Sequence, residues 1–280
     1  MTVKVNNAVL QNLLTISKRK QTVNGKGQSQ VDSCILSCDG ANVSIMSLTR
    51  DMTGLTYVEG HTATDGVTSL NPKTLIPIPD IDRVLGILKM HSQGVTLTYD
   101  GATNKLKFKS ANKQTTLDAS LDAKAFSHST ETLKTFREKS MSLAERIDVV
   151  DCSYTTADGE KIDATIHYEF DCTELYEALR CDNINGQRLN LYKFEGGGST
   201  LKITVGDPHL GQTTTTLTDK TGSSPKWECE FDGGLDDLFK HFHGQCLISV
   251  FDFTKFGQGY RMLINFNNGS WAFHAALLKN

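Results

Sequence analysis

The hexapeptide "HFHGQC" brings His241, His243 and Cys246 together, and Cys229 stands a short way upstream. Imidazole nitrogen and thiolate sulfur are the donors a zinc ion takes. If the stretch is helical, however, positions i and i+2 point in different directions and do not share an ion. Histidines facing solvent, gaining charge below a pKa of about 6.5, are the plainer reading. "EGGGST" and "NGKGQSQ" are rich in glycine, but neither fits G-x-x-x-x-G-K-[ST]. The first lies between strand-like runs with no helix N-terminus to hold phosphate, and reads as a hairpin turn. The sequence contains neither G-x-S-x-G nor H-E-x-x-H. What remains is a set of cations: Lys18, Arg19 and Lys20 in "SKRK", then Arg83, Lys89, Arg180 and Lys240. Such groups contact phosphate without reading sequence. The alternative is solvated helix ends, where the backbone dipole favours positive charge.

These cations sit on or beside four short amphipathic stretches. Leu10, Leu13 and Leu14 share a helical face, as do Ile81, Val84, Leu85 and Leu88. Asp80 stands at an N-cap position and Gly94 at a stop. Leu175, Ala178 and Leu179 repeat the spacing, and so do Leu235, Leu238, Phe239 and Phe242, with Gly244 as the stop. Each stretch leads into alternating runs: Val95, Leu97 and Tyr99 turn through "DGATN" into Leu106 and Phe108, and "CLISVFDF" turns into "YRMLINF". "TVKV" and "ATIHYEF" open the two halves, and "KQTTLDA" and "SWAFHAALL" close them. The pattern is four copies of a β-α-βββ unit, two in each half. It predicts an α+β protein with helices on one face of antiparallel sheets, a first domain over 1–120 and a second over 162–280. The stretch 121–161 is expected to be a connector, charged, partly helical and with little strand patterning.

A chain of 280 residues is long enough for two cores. With 38% apolar and 22% charged residues it reads as globular, and its apolar runs are too short to cross a bilayer as helices. "MTVKVNNAVL" lacks the pattern of a signal peptide. Seven cysteines without a CxxC pair suit reduced thiols in an intracellular, cytoplasmic setting. A formal charge of −3 excludes a uniformly basic surface but not a basic patch. Lys105, Lys107, Lys109 and Lys113 form one such cluster, readable as a guard on a strand edge. A carbohydrate-binding β module fits poorly, because its exposed loops and aromatics have no place for paired amphipathic helices.

The element order, with helix-to-hairpin joins such as "RVLGILKMHSQGVTLTYDG", resembles the DNA sliding clamps, processivity factors of replicative polymerases. The likeness is to the proliferating-cell-nuclear-antigen type and to clamps of T-even-like phages; the long connector and the drift from cellular clamps make a viral or phage origin the expectation, with the host-cell cytoplasm as the setting if the chain is phage-encoded. The resemblance implies no enzymatic activity, no cofactor and no metal. It implies a homotrimeric ring around duplex DNA, held without regard to sequence, a DNA polymerase as client and an ATP-dependent clamp loader. Helices would line the channel, so Lys18, Arg19, Lys20, Arg83, Lys89, Arg180 and Lys240 become the expected DNA contacts. Glu174, Glu177, Asp236 and Asp237 depart from a basic lining. The subunit joint would use edges near Lys109–Leu117 and Thr200–Asp207. A client motif would enter a pocket carried over to Leu48, Leu55, His274 and Ala276. His274 replaces an expected aromatic residue there, and "LLKN" could pair with the bound peptide. The alternative is a clamp-fold polymerase accessory protein that binds DNA as a monomer or open assembly without encircling it.

Overall fold

The computed structural model describes the chain apart from residues 1, 24–25, 40–41, 50–53, 61–67, 70–73, 92–93, 120–141, 181–190, 208, 210, 220–223, 233–234 and 277–280; a few strand residues are described by backbone alone. The chain divides into two compact units. Met1–Lys18, Val31–Leu48 and Thr56–Ser142 form the first, and Arg19–Gln30, Thr49–Leu55 and Leu143–Asn280 form the second.

The elements begin with β1 (Thr2–Asn6), α1 (Asn7–Ser17), β2 (Arg19–Val23), β3 (Lys26–Val31), β4 (Cys34–Asp39) and β5 (Asn42–Leu48). Next come β6 (Gly54–Gly60), β7 (Thr68–Ser69), β8 (Thr74–Ile78), α2 (Ile81–Leu88), β9 (Gly94–Asp100), β10 (Lys105–Ser110) and β11 (Lys113–Asp118). Three short strands follow, β12 (Ile147–Asp148), β13 (Ser153–Thr155) and β14 (Lys161–Asp163). The second half holds β15 (Ile166–Asp171), α3 (Cys172–Leu179), β16 (Leu191–Gly198), β17 (Thr200–Asp207), β18 (Gly211–Thr218) and β19 (Ser224–Asp232). It ends with α4 (Leu235–Phe239), β20 (Gln245–Asp252), β21 (Tyr260–Phe266) and β22 (Trp271–Ala275).

In each unit the two β-α-βββ copies exchange their opening strands. β1 opens the first copy but pairs with β9, in the order β11-β10-β9-β1, while β8 opens the second and pairs with β4. The second unit repeats this: β15 pairs with β20 in the order β15-β20-β21-β22, and β19 with β16 in the order β18-β17-β16-β19. Neither copy can complete a sheet alone, so the pair folds around a common core. In the first unit α1 packs on α2 and on β1 and β5; in the second α3 packs on α4 and on β15, β17 and β18. Each helix thereby buries its apolar stripe against sheet.

Local chemistry sets the helix starts. Asn6 accepts from the Ala8 amide at 2.9 Å, Asp80 from that of Arg83 at 2.8 Å and Asp171 from that of Thr173 at 2.7 Å. Replacing Asp80→Ala removes one of these caps and should lower stability by about 1 kcal/mol, read as a shifted midpoint in urea unfolding at unchanged slope. The expected stripes are buried with one change: on α2, Leu85 is only half-buried and Ile87 takes its place beside Ile81, Val84 and Leu88. The glycines do not end the helices. α2 stops at Leu88 and α4 at Phe239, while Gly94 opens β9 and Gly244, with φ of +80°, turns the chain into β20. "EGGGST" is the β16–β17 hairpin. A Cβ at Gly196 would lie 1.9 Å from the Trp227 indole nitrogen, so glycine is required there by ring packing.

Part of the expected connector has a different form. The stretch 120–141 lies outside the described residues. Residues expected to show little strand patterning form the antiparallel sheet β12-β13-β14. Its Tyr154 is buried, stacked on Phe273 with centroids 5.6 Å apart and edge-on to Phe253 at 5.3 Å. The Arg261 guanidinium lies over Phe253 at 4.2 Å and over Tyr154 at 4.9 Å, an arrangement worth about 1 kcal/mol per exposed contact. No described helix is long and apolar enough to cross a membrane.

Candidate nucleic-acid interface

The solvent sides of the four helices carry mixed charge. α1 exposes Ala8, Asn12 and Thr15, and Lys18 just beyond it is ion-paired with Asp82. On α2, Arg83 is exposed, and Lys89 is exposed at the C-cap. On α3, Glu174 and Glu177 are exposed, and Arg180 lies 3.5 Å from Glu177. Lys240 is exposed after α4, where Asp237 is half-buried. Asp236 is buried and accepts from the Tyr192 hydroxyl at 2.7 Å, which removes it from the surface charge. Arg83, Lys89, Arg180 and Lys240 are thus placed where a phosphate can reach them.

Arg19 is not. It is fully buried on β2, with Nη1 2.7 Å from Nε2 of His274, itself buried on β22. A guanidinium with no exposed surface cannot touch DNA, so this expectation is corrected. α1 ends one residue before Lys18, and "RK" begins a strand rather than prolonging a helix end. The Lys20 side chain lies outside the described set. Burial, and then the Arg19 charge, hold the His274 imidazole well below its ordinary pKa. It therefore serves as a neutral acceptor, with Nδ1 carrying the proton.

The residues carried over as a client pocket are placed one by one. Leu48 and Leu55 are buried core residues, His274 is committed to Arg19, and Ala276 is half-buried with its amide donating to the Tyr260 carbonyl at 2.8 Å. "LLKN" lies outside the described residues. The "HFHGQC" stretch is mostly non-helical. His241 is half-buried, its pKa lowered by burial and then by Lys240, while His243 is exposed. Cys246 is buried, as is Cys172 at the first position of α3. Among the described residues no group of three His, Cys, Asp or Glu side chains is arranged to hold a metal.

Two of the strands that end the described sheets lie on different units and carry long ladders on one side only. β11 ends the sheet of the first unit and β18 that of the second. Thr200–Asp207, expected as a joint edge, is β17, bonded to β16 on one side and β18 on the other, so the edge belongs to Gly211–Thr218. The direction of the edge groups follows from the ladder. The Asp219 amide donates to the Ser199 carbonyl at 2.8 Å, continuing the pair Thr200 with Thr218. Odd-numbered residues of β18 therefore bond to β17, and Gln212, Thr214, Thr216 and Thr218 point N–H and C=O away from it. The hydroxyls of Thr204 and Thr214, 2.9 Å apart, agree with a pair of the close, non-bonded kind. In the same way the Ala119 amide donates to Asn104 at 2.8 Å, leaving Gln114, Thr116 and Asp118 to face outward from β11.

Comparison with known proteins bears on this geometry. No family model matches the sequence, and no curated protein does. Solved structures do. A putative DNA polymerase III beta subunit from Eubacterium rectale is similar with a TM-score of 0.62 at 12% identity, over 100% of this chain and 65% of that one. The A. fulgidus PCNA, solved with the C-terminal region of FEN-1, is similar with a TM-score of 0.57 at 12% identity over 100% of this chain and 99% of that one. Proliferating Cellular Nuclear Antigen from Entamoeba histolytica is similar with a TM-score of 0.57 at 10% identity, over 99% and 98%. The chain thus spans about two thirds of the bacterial subunit, at 65%, and nearly all of the other two, at 99% and 98%. At these identities the likeness is one of fold, and over its whole length this chain has the fold of the DNA sliding clamps.

Proposed function

We propose that copies of this chain join head to tail, β11 of one against β18 of the next, into a closed ring of three that encircles duplex DNA and tethers a DNA polymerase. The observation that carries the reading is that β11 and β18 each end a sheet with outward-facing backbone groups. They are distinct segments, they lie on different units, and each turns N–H and C=O groups outward at every second residue. An exposed strand edge is a hazard unless a partner covers it. Two different edges on one chain, meeting head to tail, make a heterologous contact, which gives a ring when the rotation closes. Residues 1–120 and 162–280 serve as the two clamp domains and 121–161 as their connector, so three chains supply six domains.

Such a protein catalyses nothing. A closed ring leaves DNA only at an end or by opening, so its grip is best weak and blind to base identity. Arg83, Lys89, Arg180 and Lys240, interspersed with Glu174 and Glu177, suit that need: a few phosphate contacts, each sensitive to salt. An ATP-dependent loader would open the ring. The test is polymerase extension on a primed circular template. With loader and ATP the chain should lengthen the products of its cognate polymerase, and cutting the circle should abolish the gain as rings slide off the ends. A chain that sediments as a monomer and stimulates equally on cut templates would instead support an accessory protein that does not encircle DNA.

A further inference from the structure

The sequence leaves two roles open for Lys105, Lys107 and Lys109, and the topology removes one. β10 is bonded to β9 along one side and to β11 along the other. Its lysines therefore guard no edge. Lys113, by contrast, pairs with Ser110 and lies on the opposite side of the sheet by strand alternation.

The registers place these lysines on one face. Lys109 stands beside Thr96, which stands beside Lys4; Lys107 stands beside Thr98, which stands beside Thr2. Lys4, Lys107 and Lys109 are exposed. Along β10 the ammonium stems recur about every 7 Å, and Lys4 lies two strands away at about 10 Å. The other face is apolar and covered: Val95, Leu97, Leu106 and Phe108 are fully buried, and His91, just beyond α2, reaches Ser110 and Thr115 there at 3.0 Å.

Two carboxylates share the exposed face and both are engaged. Asp118 pairs with Lys105 at 2.9 Å. Asp100 accepts from the Thr103 hydroxyl at 2.6 Å and the Ala102 amide at 3.0 Å; these bonds, chiefly the first, with Lys107 contributing, hold its pKa below the ordinary value. Between the lysines lie threonine hydroxyls, and none of the face positions on these four strands is aromatic. Nothing here can stack on a base. Ammonium and hydroxyl donors on a flat surface match phosphate oxygens.

We propose that this face, centred on Lys4, Lys107 and Lys109, binds the phosphodiester backbone of DNA without sequence preference, on the side of the sheet away from α1 and α2. The ring need not exist for this contact to form. Three phosphate contacts imply a salt slope of about −2.7, so affinity from these lysines falls about fortyfold between 50 and 200 mM salt.

The test uses covalently closed circular duplex DNA with the full chain and no loader, because a closed circle cannot thread a closed ring. The wild type should bind the circle in a salt-dependent way. The triple variant Lys4→Gln, Lys107→Gln, Lys109→Gln should lose that binding while its sedimentation coefficient is unchanged. Equal binding by wild type and triple variant overturns the proposal. Loss of circle binding in Arg83→Gln with Lys89→Gln, but not in the triple variant, overturns it by placing the contact on the helices. Binding of poly-glutamate but not of DNA overturns it in favour of an acidic protein partner. The ring reading is judged separately, by sedimentation of the wild type, so the two can fail independently.

Discussion

Thr216→Pro is expected to sediment as a single chain under conditions where the wild type sediments at three times 30.8 kDa. Thr216 lies on β18 with its amide turned away from β17. Proline removes that donor and sets its ring against any strand approaching the edge. The internal ladder is untouched, because its bonds run through the odd-numbered residues. Thr215→Pro is the matched control. Its amide faces β17, so the substitution removes an internal bond and should cost about 3 kcal/mol of folding stability. A Thr216→Pro chain that remains folded and trimeric would show that β18 is not the joint. The matching change on β11, Thr116→Pro, should have the same effect, since a head-to-tail contact needs both edges.

Of the two expected joint edges, the one near Lys109–Leu117 falls on an end strand and the one on Thr200–Asp207 does not. The stripes of all four helices and the cap at Asp80 were legible because each is a pattern over a few neighbouring residues. Which strand lies at the edge of a sheet is not. "QTTTTLT" has almost no apolar alternation, so the strand that ends its sheet gives little periodic signal, whereas its neighbour β17 alternates clearly. The small sheet β12-β13-β14 escaped for a related reason: its strands are two or three residues long, too short to alternate. What fixes it is Tyr154 meeting Phe253 and Phe273, more than ninety positions away. Arg19 is the sharpest case. Within "SKRK" it is one cation among three, and only a histidine 255 positions later makes it an interior residue. For the surface lysines, conversely, the cluster was visible at once. Its meaning waited on knowing that β10 has a neighbour on each side.

The Arg19–His274 contact makes the second large prediction, that one proton of the stability lost in mild acid enters at the His274 imidazole. His274 is neutral in the folded state because burial and the adjacent guanidinium disfavour its charged form. Its folded pKa lies below the unfolded value of about 6.5. Above that value neither state takes up a proton at this site, and the contact contributes in full. Below it the unfolded chain is protonated while the folded chain is not, so unfolding gains about 1.4 kcal/mol per pH unit until the folded pKa is reached. His91 and His241, with pKa values also lowered chiefly by burial, act in the same direction. His274→Asn keeps a side-chain oxygen to accept from Arg19 and removes the titration. Urea unfolding between pH 7 and 5 should therefore show a slope of stability with pH that is shallower by one proton than in the wild type. His274→Ala, which leaves a cavity and takes the acceptor from a buried cation, should cost on the order of 3 kcal/mol at pH 7. If the asparagine variant retained the full acid slope, the proton would be entering elsewhere, and the neutral imidazole would not be what holds β2 to the last strand.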